Sequence, residues 1–255
     1  MTSDAISPTR RALGVVGAAL LLCAAIALVF VASAPGKAAE VLGKVGGKAP
    51  PSCPTPDPTP TGADPRTCFA FASVTAFQMV GNGERAAFKI PTDGHLVAWS
   101  VDLSEPSASE QATFTTELEY GEPAARIAVL KEKGKSKFKL TKQSPKVQLA
   151  EQLGREPIFT LAKPIKVAKG TVVGLSTSNW VPNLAHDGDL TNEGDKWRAS
   201  RSRMKCGTDP QKSAEENRDD ILSSKSQRKI GTIRTYGCTY FPSRVLYQAY
   251  YVPGE

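Results

Sequence analysis

Beyond residue 66 the apolar residues of this chain come in short runs of period two, and no stretch there keeps a long helical period. Val, Ile, Leu, Phe and Thr alternate with polar residues and are cut by Gly, Pro, Asn or Asp, which predicts half-buried strands joined by tight turns. The stretch from Pro157 to Ser176 shows this most plainly. There Ile158 to Leu161 predicts a strand, Lys169-Gly170 a turn, and Thr171 to Ser176 the next strand. Ser73 to Val80 and Glu84 to Ile90 predict two more, with Gly81-Asn82-Gly83 as their turn. In the run from His95 to Leu103, the residues Val97, Trp99, Val101 and Leu103 fall on one face, which is expected to be core with Trp99 as its anchor. Further strands are predicted over Ala124 to Lys131, at Val147-Gln148-Leu149, over Gly231 to Phe241 and over Val245 to Val252, with Glu105 to Gln111 as a polar loop. About ten short strands with almost no helix predict an all-β domain, an antiparallel β-sandwich of jelly-roll type.

The N-terminal part follows different rules. Ala12 to Ala34 is a run of 23 uncharged residues behind Arg10-Arg11. As a helix it would reach about 34 Å, enough to cross a bilayer. It is expected to be an uncleaved single-pass anchor holding the chain in the cell membrane through residues 12–34, with the C-terminal domain extracellular. The alternative is a secretory signal cleaved near Ala34. From Pro50 to Pro65 proline stands at nearly every second position, which fixes φ, removes donors and predicts an extended spacer. The expected organisation is a tip and anchor over residues 1–34, a Gly/Lys-rich then Pro-rich extracellular linker over 35–66, and the β-domain over 67–255.

Cysteine usage agrees with export. Apart from Cys23 in the apolar run, the cysteines are Cys53, Cys68, Cys206 and Cys238, an even number with no Cys-x-x-Cys pair, which predicts disulfides in an oxidising compartment rather than a zinc site. Three pairings exist, and proximity favours Cys53 with Cys68 and Cys206 with Cys238. The formal net charge of +7 favours polyanions or anionic surfaces without selecting one. Its densest expression is Lys131 to Lys142, where Lys137 and Lys139 alternate with Phe138 and Leu140; this predicts a hairpin with a lysine face, either a polyanion-binding edge or a guard against edge-to-edge aggregation.

One segment breaks the alternation. From Ala185 to Ser226 charged and small polar residues dominate, which predicts a long excursion, with Ser213-Ala214-Glu215-Glu216 as a capping box starting a short helix to about Ser223. Within it Asp187, Asp189, Glu193 and Asp195 are interleaved with glycine and offer oxygen ligands for calcium, without matching an EF-hand loop. Trp197, Arg198, Arg201 and Arg203 follow, and with Trp180 they make a candidate ligand surface that would stack sugars or fork onto phosphate or carboxylate groups.

A Pro-x-Asp-Gly turn before a Trp-bearing strand (Pro91, Asp93, Gly94, Trp99), the Gln143-Ser144-Pro145 step, and Lys169-Gly170-Thr171-Val172-Val173-Gly174-Leu175 followed by Trp180-Val181-Pro182 make the chain resemble exported bacterial β-sandwich domains of uncharacterised function. The resemblance spans Phe77 to Pro182 and carries scaffold residues only. No catalytic motif accompanies it. Gly81-Asn82-Gly83-Glu84-Arg85-Ala86 opens no helix, Gly134-Lys135-Ser136 lacks the rest of a P-loop, and only His95 and His186 are available to a hydrolytic triad. The expected function is therefore a non-catalytic envelope module binding wall glycan or an anionic polymer. The alternative is a structural or protein-interaction module with an envelope protein as partner, and the third reading is an exported hydrolase. Nucleic acid is not expected as a partner.

Overall fold

The computed structural model describes residues 38–45, 51–53, 68–186 and 194–254. The apolar run at 12–34, most of the Pro-rich stretch and the acidic residues Asp187, Asp189 and Glu193 lie outside them. Among the described residues no helix is long and apolar enough to cross a membrane.

The strands are β1 (Glu40–Leu42), β2 (Phe71–Ala72), β3 (Thr75–Gly81), β4 (Glu84–Arg85), β5 (Gly94–Val101), β6 (Ala124–Glu132), β7 (Lys137–Gln143), β8 (Val147–Gln148) and β9 (Ile158–Val167). After these come β10 (Val172–Ser176), β11 (Trp180–Val181), β12 (Leu184–His186), β13 (Lys196–Ala199), β14 (Ile233–Thr235), β15 (Cys238–Tyr240), β16 (Ser243–Val245) and β17 (Tyr247–Pro253). Their pairings are antiparallel, and they make an all-β fold. One sheet has the order β1-β17-β5-β9; the larger runs β14-β7-β6-β10-β3-β13-β15, with β4 beside β3 and β8 beside β6.

Side chains from both sheets meet in one core. Trp99 and Val101 of β5 and Tyr251 of β17 meet Ile127, Val129 and Leu175 of the larger sheet. Trp99 is the expected anchor, but its strand changes phase. Leu96, not Val97, is fully buried beside Trp99, because Val97 is an extra residue between the positions paired with Tyr251 and Tyr250. A one-residue bulge moves every residue before it to the other face, which strict alternation cannot anticipate.

The other face of the larger sheet carries a second cluster of Phe77, Leu130, Phe138, Leu140 and Tyr236. The chain after residue 223 lies over it. Gln227 is fully buried, takes the Tyr236 hydroxyl on its Oε1 at 2.8 Å, and donates its backbone N–H to Thr75 Oγ1 at 2.9 Å.

The excursion predicted at 185–226 is therefore partly structure. Strand β13 sits inside the larger sheet between β3 and β15, and its buried Trp197 and Ala199 alternate with Lys196 and Arg198. Four residues are too short a run to reveal period two among charged neighbours. The helix α2 (Ala214–Leu222) forms where its capping box predicts, with Ser213 and Glu216 bonded reciprocally. The same signature at Ser107 and Glu110 starts α1 (Ala108–Ala112) within the expected polar loop of Glu105 to Gln111, and the helix continues into a π-helical turn at Thr113–Glu117.

Three further differences concern strand ends. Residues 40–42, expected in the linker, form β1 against β17 because Leu42 finds a buried place in the core. Strand β9 extends through Pro164 to Val167 and is the outer strand of its sheet, where a residue without an N–H is tolerated. The lysine-rich β7 is not an edge, since β14 pairs outside it.

The motif residues at Pro91–Gly94 have structural roles. Asp93 accepts the Lys169 N–H at 2.7 Å, joining two turns. A Cβ on Gly94 would stand 2.4 Å from the Val252 carbonyl oxygen. Both expected disulfides are present, Cys53–Cys68 and Cys206–Cys238.

Candidate anion-binding edge

Two basic segments far apart in sequence come together at one edge of the larger sheet. The first, residues 131–142, holds six lysines and one acid, Glu132; the second, residues 225–234, holds Lys225, Arg228, Lys229 and Arg234 and no acid. Together they carry ten of the 32 Lys and Arg residues. The ladder between β7 and β14 joins them, with Ile233 opposite Lys139 and Arg234 opposite Phe138. The join continues beyond the strand, where Gly231 N–H donates to Leu140 O at 2.8 Å and Leu140 N–H to Thr232 O at 3.0 Å.

Register sets the lysines on one face. Lys131 of β6 is paired with Lys139 of β7, and Lys139 with Ile233 of β14, so three strands contribute to one cross-strand row. Phe138 and Leu140 point the other way into the second cluster, which holds β7 in this phase. The lysines Lys131, Lys133, Lys135, Lys137 and Lys142 are exposed and Lys139 is half-buried. Among the described residues none of them forms a salt bridge.

Arginines extend the positive surface onto the second face. Arg126 is half-buried, and burial followed by the charge of Arg228 pulls its guanidinium below its ordinary value. Arg198 is also pulled down, chiefly by burial; Glu132 opposes this and Arg203 adds to it. Its buried Nε has no hydrogen-bond partner. An acidic stretch of chain enters β6 at its opposite end. The chain from Leu103 to Pro123 contains Glu105, Glu110, Glu117, Glu119 and Glu122 and no Lys or Arg, and it leads directly into Ala124.

The residues singled out from sequence are placed as follows. Trp180 is fully buried, stacks on Phe114 at 4.9 Å and donates its indole N–H to Gly121 O at 2.8 Å. Trp197 is buried between Phe71 and Tyr240, with its indole N–H on Ser243 Oγ at 2.7 Å. Neither indole offers an open stacking face. Arg201 is buried too, and donates to Ser224 Oγ at 2.9 Å, the Tyr240 hydroxyl at 2.8 Å and Ala72 O at 3.3 Å. It sits at the C-terminal end of α2, whose dipole favours a cation there. Its charge also opposes the effect of burial, which raises the Tyr120 hydroxyl above its ordinary value. Only Arg203, exposed, and Arg198, half-buried, remain near the surface.

Of the four acidic residues proposed for calcium, Asp195 alone is described. It is buried, and its carboxylate accepts Arg244 Nε at 2.8 Å and Nη2 at 3.0 Å and the Asn82 N–H at 3.0 Å. Among the described residues no group of three or more His, Cys, Asp and Glu side chains is placed to hold a metal. His95 is exposed on β5, opposite Lys166 of β9.

Sequence reasoning did not bring residues 225–234 to the lysine hairpin, nor Arg244 to Asp195. The first had a visible signal, since four cations without an acid adjoin an alternating run. The second had none, because the two residues are 49 positions apart. The chain matches no protein family, no curated protein and no solved structure.

Proposed function

We propose that this chain is an exported, non-catalytic β-sandwich module that adheres to polyanionic material of the cell envelope through the β6–β7–β14 edge. The observation that supports it is the gathering of ten Lys and Arg residues from two separate segments around a single acid. Like charges directly opposite in a ladder destabilise a sheet, so Lys131 across from Lys139 is hard to account for by folding alone. A polyanion would remove that repulsion, with the lysines acting as point charges along a phosphate- or carboxylate-bearing chain.

Export is supported by the two disulfides, which persist in oxidising compartments. The burial of Trp180 and Trp197 shifts the proposed ligand away from neutral glycan and toward anionic polymer.

The test is titration of the full chain with polyphosphate and a teichoic-type polymer over a range of salt. Binding is expected at low salt and should weaken steeply as salt screens the exposed lysines. It should be lost when Lys131, Lys137 and Lys139 are changed together to Glu. Equal binding by that triple variant would sink the proposal.

A further inference from the structure

Two isoleucines stand in water within the basic edge. Ile230 is 53% and Ile233 54% exposed. Ile230 is at the second position of the turn Lys229-Ile230-Gly231-Thr232, closed by Thr232 N–H to Lys229 O at 3.2 Å, with Gly231 at φ +90° as a type II turn requires at its third position. The turn is firmly held. Gly231 and Thr232 bond to Leu140 on β7, and Thr232 O accepts the buried Gln227 side chain at 2.7 Å. Its exposed apolar side chain is therefore a fixed projection flanked by Arg228, Lys229 and Arg234.

A soluble polyanion would use the cations and leave both isoleucines in water. A second copy paired along β14 would set one lysine-rich edge against another, the arrangement that edge charges oppose. An anionic bilayer uses both features at once, since its headgroups attract the cations and its acyl region takes the isoleucines.

Resting on the polyanion reading above, we propose that the Lys229–Ile233 turn docks on an anionic lipid bilayer, with Ile230 entering the boundary between headgroups and acyl chains. The probe is a tryptophan. Trp99, Trp180 and Trp197 are all buried, so an Ile230→Trp variant adds one reporter at the turn over a shielded background. The full chain carrying it is placed in phosphatidylcholine vesicles, with or without phosphatidylglycerol, whose acyl chains are brominated. The expected result is quenching and a blue shift of the added tryptophan in the anionic vesicles only, and loss of both when Lys131 and Lys139 are also changed to Glu.

Absence of quenching in anionic vesicles, or equal quenching in neutral ones, overturns the bilayer proposal. Titrating the same protein with polyphosphate separates the two readings. Retained polyphosphate binding without quenching removes the bilayer alone; loss of both removes the polyanion reading as well.

Discussion

Lys131 stands directly across from Lys139 in the β6–β7 ladder, and among the described residues neither has a carboxylate in salt-bridge contact. Opposed like charges cost a sheet stability, and a neutral β-former at one position removes the cost. Lys139→Thr is expected to stabilise the fold by about 0.2–1 kcal/mol while weakening polyanion binding. Urea unfolding and a polyphosphate titration on the same variant check the two signs. A variant that lost stability as well as binding would show the pair to be structural.

Asp195 and Arg244 form a buried ion pair that also receives the Asn82 N–H. Replacing Asp195 with Ala removes the carboxylate that accepts the Arg244 Nε and Nη2, and the expected loss is about 3–5 kcal/mol. Changing both residues to apolar ones of similar volume should recover much of it, because the desolvation of both charges disappears together. Chemical unfolding of the single and double variants measures the difference.

Trp197 contributes to this protein by packing. Its ring lies stacked 4.3 Å from Tyr240 within the larger sheet, so Trp197→Ala is expected to cost about 3–5 kcal/mol. Any loss of ligand binding in that variant should follow the fraction unfolded and vanish under conditions where the variant is fully folded.

Asp102 gives the stability a pH dependence. Burial, with a smaller contribution from Glu156, raises its carboxyl above the ordinary value of 3.8. The folded state thus binds this proton more tightly than the unfolded state, and the contribution is favourable below 3.8 and lost as pH rises through the raised value. Asp102→Asn should therefore be more stable than the parent at pH 7, with the difference closing in acid. Unfolding curves at a series of pH values test this; a variant less stable at pH 7 would contradict it.

Much of the sheet was legible because its burial follows period two, as in β7, where buried Phe138 and Leu140 separate Lys137 and Lys139. The capping box at Ser213 was legible for the same local reason. What escaped depends on distance. The phase change at Val97 is set by pairing with β17, and β13 is a strand because β3 and β15 stand on either side of it. At the candidate site the lysines were visible, but their union with Arg228, Lys229 and Arg234 depends on the β7–β14 register.

Glu122, two residues before β6, and Lys133, just after it, flank a nine-residue strand whose ends are roughly 26 Å apart at about 3.3 Å per residue. A body charged in this way has a direction as well as a net charge. Near a negative surface it experiences a torque before it makes any contact, with the glutamates swinging outward and the lysines inward. Fewer encounters then fail through wrong orientation, so the separation should raise the rate of capture more than it slows release.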